Sequence, residues 1–391
     1  MAAERAWRDR HGAIGTTRLA RRGTARPPGL GVSREPGGGY ADGERVCESC
    51  AGSGMLTPMR LLVLGGNVFL GRAVAAHALA SGHDVTCVTR GVSGAIPAGA
   101  TAVTADRDDP NGLAGLDGDF DAVIDVARRP SHVRHAAAAL GARIPHWVYV
   151  SSCSVYADQG TPGQRAAQAP LLAPLPLETD DATGENYGPA KVSCEQALLD
   201  AVGPERAMLC RAGLIVGPED PTGRFDYWVS RLAEGGEVLA PGTPADPVQW
   251  IDVRDLAAWL VQAAEQRLAG VYDGIGAPVG RGAMLAGIAE GVGTTPRLTW
   301  VDQEFLTEQG VETWAGERSL PMWLPLPEWA GFLSRDVSDA LAAGLSPRPV
   351  GDTARDTLAW LATGPTRKPW AGITRDDESA LLATWKSTHP A

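Results

Sequence analysis

From Met59 onward the chain alternates short apolar runs with amphipathic stretches. Residues 60–64, RLLVL, run straight into a glycine pair, the pattern of a strand buried on both faces. Apolar side chains then recur at helical spacing as far as Gly82, and DVTCVT at 84–89 is rich in β-branched residues. A strand, helix and strand this close together predict a βαβ unit. The rhythm continues with strands at 101–105, 121–127, 146–152 and 207–216 and helices at 131–141 and 187–202. It predicts an α/β fold built on a doubly wound parallel sheet.

Past residue 217 the alternation breaks. Gly/Pro-rich stretches (GPEDPTGRF, APGTPADP) precede one amphipathic helix, IDVRDLAAWLVQAAEQ, for which Asp252 is the expected N-cap. Residues 294–335 mix short strands, tryptophans and prolines. The expected organisation is a nucleotide-binding domain at 59–217 and, at 218–391, a smaller substrate-binding lobe that returns some elements to the sheet. Residues 1–58 differ in kind. They carry nine arginines against six acids, are rich in Gly and Pro, and show no sustained apolar period. A disordered extension is expected there, or upstream sequence that a start at Met55 or Met59 would exclude. No apolar core with a cleavage site marks a secretory leader, and no run is long enough for a membrane span, so a cytoplasmic protein is expected.

The formal charge is −11, with 35 basic and 46 acidic residues, which argues against a general nucleic-acid binder. The six cysteines are scattered and read as reduced thiols; Cys47 and Cys50 form a lone C-x-x-C, half of a zinc site, and no metal is expected.

Chemistry enters at the turn after the first strand, GGNVFLG: Gly65, Gly66, Asn67, Val68, Phe69, Leu70 and Gly71. Glycine there permits unusual dihedrals and lets backbone N–H groups approach a pyrophosphate at a helix N-terminus. The usual fingerprint also has glycine at position 68. At the end of the second strand an acid would bind a ribose 2′-hydroxyl, whereas Arg90 suits a 2′-phosphate, so NADP is expected over NAD.

Tyr187 and Lys191 stand four apart in YGPAK at a predicted helix start and share one face. An ammonium beside a phenol stabilises phenolate and suits it to acid/base work. The chain has three lysines among its 35 basic residues, yet a point charge, not a planar fork, stands here. Ser152 ends the strand before, where its hydroxyl could hold a substrate oxygen.

GGNVFLG, SSCSVY, YGPAK and VQWIDVRDLA, in this order, resemble the NAD(P)-dependent epimerase/dehydratase branch of the short-chain dehydrogenase/reductase superfamily, with the GGxxxxG form of an atypical subgroup. The resemblance spans about 59–391. It implies a Rossmann-type fold, with Tyr187 as acid/base, Lys191 on the nicotinamide ribose and Ser152 orienting the substrate carbonyl or hydroxyl. It further implies that Asp106 meets adenine, Val126 and Ala127 the adenosine ribose, and Gly213, Leu214 and Ile215 the carboxamide side. Arg224, Phe225, Tyr227 and Gln249 become candidates for the substrate wall, and Asp252 and Asp255 for caps and docking residues. Residues 159–184 read as an inserted loop over the site. No carboxylate follows Ser152, which disfavours sugar dehydration and leaves redox or epimerisation on a carbonyl or sugar-nucleotide substrate. A homodimer through the helices flanking the sheet is implied as well. Two readings remain open at this point: an RNA-binding protein on the same scaffold, as some relatives of the subgroup suggest, and an NADP-binding redox sensor.

Overall fold

The structure is a computed structural model that describes residues 57–365 and 371–389. The expected extension at 1–58, apart from its last two residues, and the Cys47/Cys50 pair lie outside the described residues.

Seven parallel strands form one sheet: β1 (Arg60–Leu64), β2 (Asp84–Thr89), β3 (Thr101–Thr104), β4 (Ala122–Asp125), β5 (Trp147–Ser152), β6 (Ala207–Ala212) and β7 (Gly270–Gly274). Their order is β7-β6-β5-β4-β1-β2-β3. This is a Rossmann-type α/β fold. The order reverses between β1 and β4, which pair from Leu61↔Ala122 to Leu64↔Asp125. Ligands bind such sheets at the carboxyl side of the point of reversal.

Alternation along β1 shows why the run is apolar throughout. Leu61 and Val63 enter the core on the side of α1 (Phe69–Ala80) and α5 (Val253–Gln266), while Leu62 and Leu64 enter the opposite core under α2 (Pro130–Leu140) and α3 (Tyr187–Val202). Each face buries its own half of the side chains, so none of the four positions from Leu61 to Leu64 is polar.

A second apolar core lies beyond the sheet. It packs α4 (Arg224–Ala233) against α6 (Arg281–Val292) and gathers Trp228, Trp314, Trp323 and Trp329. After that lobe opens, the chain comes back: α5 lies on α1 and β7 extends the sheet beside β6. The carboxylate of Asp252, capping α5, accepts from Arg254 N–H at 2.8 Å and from Thr353 at 2.8 Å. Asp255 holds the backbone and guanidinium of Arg348, both at 2.8 Å, and so ties the returning helix to the C-terminal segment.

Candidate active site

The glycine turn follows from close packing. Gly65 has φ +105°, and a Cβ there would lie 2.7 Å from Val126; on Gly66 it would lie 2.5 Å from Cys87 Sγ, and on Gly71 it would strike the carbonyl of Gly65. The turn is thus wedged between the ends of β2 and β4 with no room for side chains. Val68 explains its own departure from the fingerprint. Its φ of −136° and ψ of 141° are extended backbone open to any residue, and its side chain is 56% exposed. It caps α1 without a side-chain hydrogen bond, and no acid occupies the first turn, so the first amides of α1 remain open to an anion. The cost falls on Phe69, at φ +30°. These features fit a dinucleotide pyrophosphate. The Asn67 amide bonds the carbonyl of Ser93, away from that role.

The other proposed cofactor contacts end neighbouring strands. Arg90 is exposed after β2. Asp106 is exposed after β3, one carboxylate oxygen accepting from Asp108 N–H at 3.0 Å. Buried Asp125 accepts from Ala127 N–H and Arg107, both at 2.9 Å, which fixes Val126 and Ala127 at the end of β4. Gly213 lies so close to Ile275 that a side chain would collide with it, and Leu214 receives the backbone N–H of Ile251. Ile215 pairs with Ile251 in a two-residue parallel ladder. Arg72, at the head of α1, forms an ion pair with Glu219 across the crevice.

One cavity of about 220 Å³ opens at the carboxyl edge. Ser152 and Tyr187 both line it, with Gly213 and Leu214 on the sheet side. Ser152 Oγ accepts from Ser154 N–H at 3.1 Å, capping the short turn Cys153–Val155. Tyr187 is the first residue of α3, half-buried, and its hydroxyl has no hydrogen bond within the described residues.

Lys191 sits one turn further along α3, 2% exposed. Its ammonium donates to Ala127 O at 2.6 Å, Val150 O at 2.6 Å and Tyr149 Oη at 3.0 Å. All three N–H groups are thereby committed to the protein, and in this conformation none is offered to a ribose. The ammonium instead ties the ends of β4 and β5 to α3.

The substrate-wall candidates separate. Arg224, the first residue of α4, lines the cavity, its guanidinium 4.6 Å above the ring of Trp314. Burial pulls it down to about 10 from the usual arginine range, against the raising effects of Asp220 and Tyr187. Phe225 is 0% exposed in the second core, because the next position on a helix points about 100° away. Tyr227 packs edge-on against Trp228 at 5.0 Å and also misses the cavity. Gln249 is fully buried: its amide donates to Gly276 O at 2.8 Å and Arg335 O at 3.1 Å and accepts from Arg335 N–H at 2.8 Å. It clasps backbone rather than substrate.

Trp314, Trp329 and Phe332 form the wall that sequence reasoning did not identify. The tryptophan and proline density of 294–335 was the available signal. Trp314 adopts φ +68°, a left-handed conformation that costs a bulky residue roughly 1–2 kcal/mol. The segment 159–184 reaches the cavity through Gln159, Leu172 and Gly184. Glu185 stands at the rim, so a carboxylate does approach the cavity although none follows Ser152.

Beneath the cavity the Tyr156 hydroxyl donates to Asp273 at 2.5 Å, and Arg335 both donates to Asp273 at 2.7 Å and lies 3.4 Å from the Tyr156 ring centre. Burial raises the Asp273 carboxyl and pushes the adjacent Cys153 thiol well above the ordinary range. Arg211 and Glu195 form a buried bidentate pair at 3.0 and 2.7 Å beside them. This floor holds the end of β5 rigidly under Ser152.

No group of histidine, cysteine and acidic residues able to hold a metal occurs among the described residues, and no described helix is long and apolar enough to cross a membrane. Among curated proteins no sequence matches the chain significantly. Solved structures share the fold. WbmH of Bordetella bronchiseptica in complex with NAD+ is 17% identical, with TM-score 0.54, covering 78% of this chain and 99% of that one. The UDP-N-acetylglucosamine 4-epimerase of Bacillus cereus is 15% identical, TM-score 0.54, covering 78% and 100%. The UDP-glucose 4-epimerase of Thermus thermophilus in complex with NAD is 18% identical, TM-score 0.53, covering 78% and 100%. A family model, NAD dependent epimerase/dehydratase family, matches residues 61–273, more than half of the chain. With the glycine turn, the switch point and the carboxyl-edge cavity in place, the chain belongs to the NAD dependent epimerase/dehydratase family, enzymes of the oxidoreductase/epimerase type.

Proposed function

We propose that the protein is an NAD(P)-dependent oxidoreductase or epimerase acting at a carbinol or carbonyl carbon, with Tyr187 as the acid/base. The observation that carries the reading is the carboxyl-edge cavity that joins Ser152 and Tyr187 to Gly213 and Leu214. A bound nicotinamide dinucleotide would supply the hydride donor or acceptor; the glycine turn and the open amides of α1 would hold its pyrophosphate.

The remaining chemistry belongs to the chain. As phenolate, Tyr187 takes the proton from a substrate hydroxyl as the substrate is oxidised; as phenol, it gives the proton to a carbonyl oxygen as the substrate is reduced. Ser152 holds the same oxygen, its Oγ kept in place by Ser154. Lys191, one turn further along α3, holds the helix that carries Tyr187 against the ends of β4 and β5. Reoxidation within one cycle makes the net result epimerisation; release of the product makes it simple reduction or oxidation. Two of the similar structures are UDP-sugar epimerases, which supports a nucleotide sugar or related polyol as the broad substrate class.

Arg90 supports NADP. Binding of NADPH and NADH to the wild type and to Arg90→Glu tests it: a selective loss of NADPH affinity is expected, and equal affinities in both proteins would refute the assignment. For the chemistry, Tyr187→Phe should abolish turnover in a screen of carbonyl and nucleotide-sugar compounds while leaving cofactor affinity within a few-fold. Undiminished turnover would remove Tyr187 from its role.

A further inference from the structure

Arg224 is held in a manner that a surface arginine does not require. Its Nε donates to Thr222 Oγ1 at 3.3 Å, and the Thr222 hydroxyl donates at 2.9 Å to Asp220, a fully buried carboxylate that also accepts from Thr222 N–H at 2.8 Å. The guanidinium carbon lies 4.6 Å over the ring of Trp314, which adopts a left-handed conformation at the end of the short parallel ladder Glu312–Trp314 with Ser319–Pro321. One edge and one face are thus occupied. Among the described residues, the two terminal amino groups find no hydrogen-bond acceptor and no carboxylate within 4 Å, and the side chain belongs to the lining of the cavity that contains Tyr187 and Ser152. Asp220 acts on the cation electrostatically and through Thr222, but forms no ion pair with it within 4 Å.

A cation enclosed by protein, held over an aromatic ring and with no carboxylate at ion-pair distance, is costly unless something completes it. The guanidinium fork matches an oxyanion, to which it can donate two parallel hydrogen bonds. The size of the cavity narrows the choice. At about 220 Å³ it admits a compact fragment beside Tyr187, and any larger part of a ligand would have to extend beyond it. Trp329 and Phe332 give that fragment an apolar wall on its other side.

We propose that the fragment which reacts at Tyr187 itself carries an oxyanion, a carboxylate or a phosphate, and that Arg224, positioned by the Thr222–Asp220 relay, receives it. The substrate class is then a hydroxy or keto compound whose reacting part bears its own negative charge, a carboxylate or a phosphate ester, whether or not a nucleotide is attached elsewhere on it. The inference rests on the cavity being the reaction site proposed above, but its test requires no turnover.

The test titrates malonate, inorganic phosphate and UDP separately into the NADP+-loaded full-length protein by calorimetry, using wild type, Arg224→Met, Arg224→Lys, Thr222→Val and Tyr187→Phe. Malonate or phosphate should bind the wild type and lose at least tenfold in affinity with Arg224→Met. Arg224→Lys should retain part of the affinity, and Thr222→Val should weaken it several-fold by releasing Nε. Tyr187→Phe should bind the anion like the wild type; if it does so and still turns over substrate, the acid/base reading fails while this one stands. Preference for malonate identifies a carboxylate substrate, and preference for phosphate a phosphate ester. Binding of neither anion to the wild type, equal binding in Arg224→Met, or Arg224-dependent binding of UDP alone would overturn the proposal, the last because the charge would then belong to a nucleotide. If Arg224→Met does not fold, Thr222→Val and Arg224→Lys decide by the same criterion.

Discussion

Replacing Lys191 with methionine separates what the fold shows from what the family resemblance implies. Methionine has nearly the reach of lysine and no donors, so packing is retained while three hydrogen bonds disappear. The carbonyl of Ala127 keeps a donor, because the Tyr149 hydroxyl bonds it at 3.0 Å. Val150 O and Tyr149 Oη lose their donor from the ammonium. A buried acceptor deprived of its partner costs about 1–3 kcal/mol, so two of them give about 2–6 kcal/mol, reduced by the removal of a desolvated charge. Denaturant unfolding should register that loss, and the melting temperature should fall by a few degrees. Cofactor affinity should change no more than a few-fold, since no N–H of the ammonium is free for a ribose. Tyr187→Phe is the control. Its hydroxyl has no partner in the described residues, so stability should stay within about 0.5 kcal/mol while turnover falls by about 10²–10⁴ or more. An unchanged unfolding free energy in Lys191→Met, together with a tenfold or greater loss of cofactor affinity, would show that the lysine faces the ribose and that the reasoning from its three acceptors is wrong.

Other expectations concern the frame around the site. Gly71→Ala places a methyl against the Gly65 carbonyl and should weaken cofactor binding more than tenfold in a fluorescence titration, even if the protein still folds. Glu195→Ala leaves Arg211 buried and unpaired and should destabilise by about 3–5 kcal/mol, read from urea unfolding. Asp252 is lowered despite the raising effect of its burial, because hydrogen bonds from Arg254 and Thr353 prevail. A carboxyl depressed in the fold adds stability above its unfolded pKa of about 3.9 and loses it as the pH falls further, so the deficit of Asp252→Asn should be full at pH 7 and shrink in acid. Burial pushes Cys87 and Cys194 up to about 11 and raises Cys153 as well, so these thiols should resist iodoacetamide at pH 8 until denaturant is added; rapid native labelling of any of them would contradict the packing.

Local order fixed much of what could be read beforehand. The strands declared themselves because both faces of the sheet demand apolar side chains. The cap of α5 is a matter of adjacent residues, Asp252 and Arg254. Tyr187 at the head of α3 followed from Pro189, which only a first turn accommodates, and the glycines of the turn from the contacts any such turn makes. The substrate side was not readable in this way. Arg224 and Phe225 are neighbours in sequence, yet one meets the cavity and the other the second core, because the direction of α4 is set by packing against α6. Gln249 looked like a free polar group beside the site, but its partners Gly276 and Arg335 come from distant segments.

The amino-acid order by itself therefore determined the sheet, its turn of glycines and the pairing of a phenol with a lysine on one helical face, since each depends on contacts within a few residues or on a period that the backbone imposes. Tertiary structure alone decided where the lysine spends its three hydrogen bonds, which cavity arginine is left without an anion among the described residues, and which tryptophans, far beyond Tyr187 in the chain, close the wall of the cavity. Those outcomes depend on long-range packing of whole elements, whose directions no local pattern of side chains encodes.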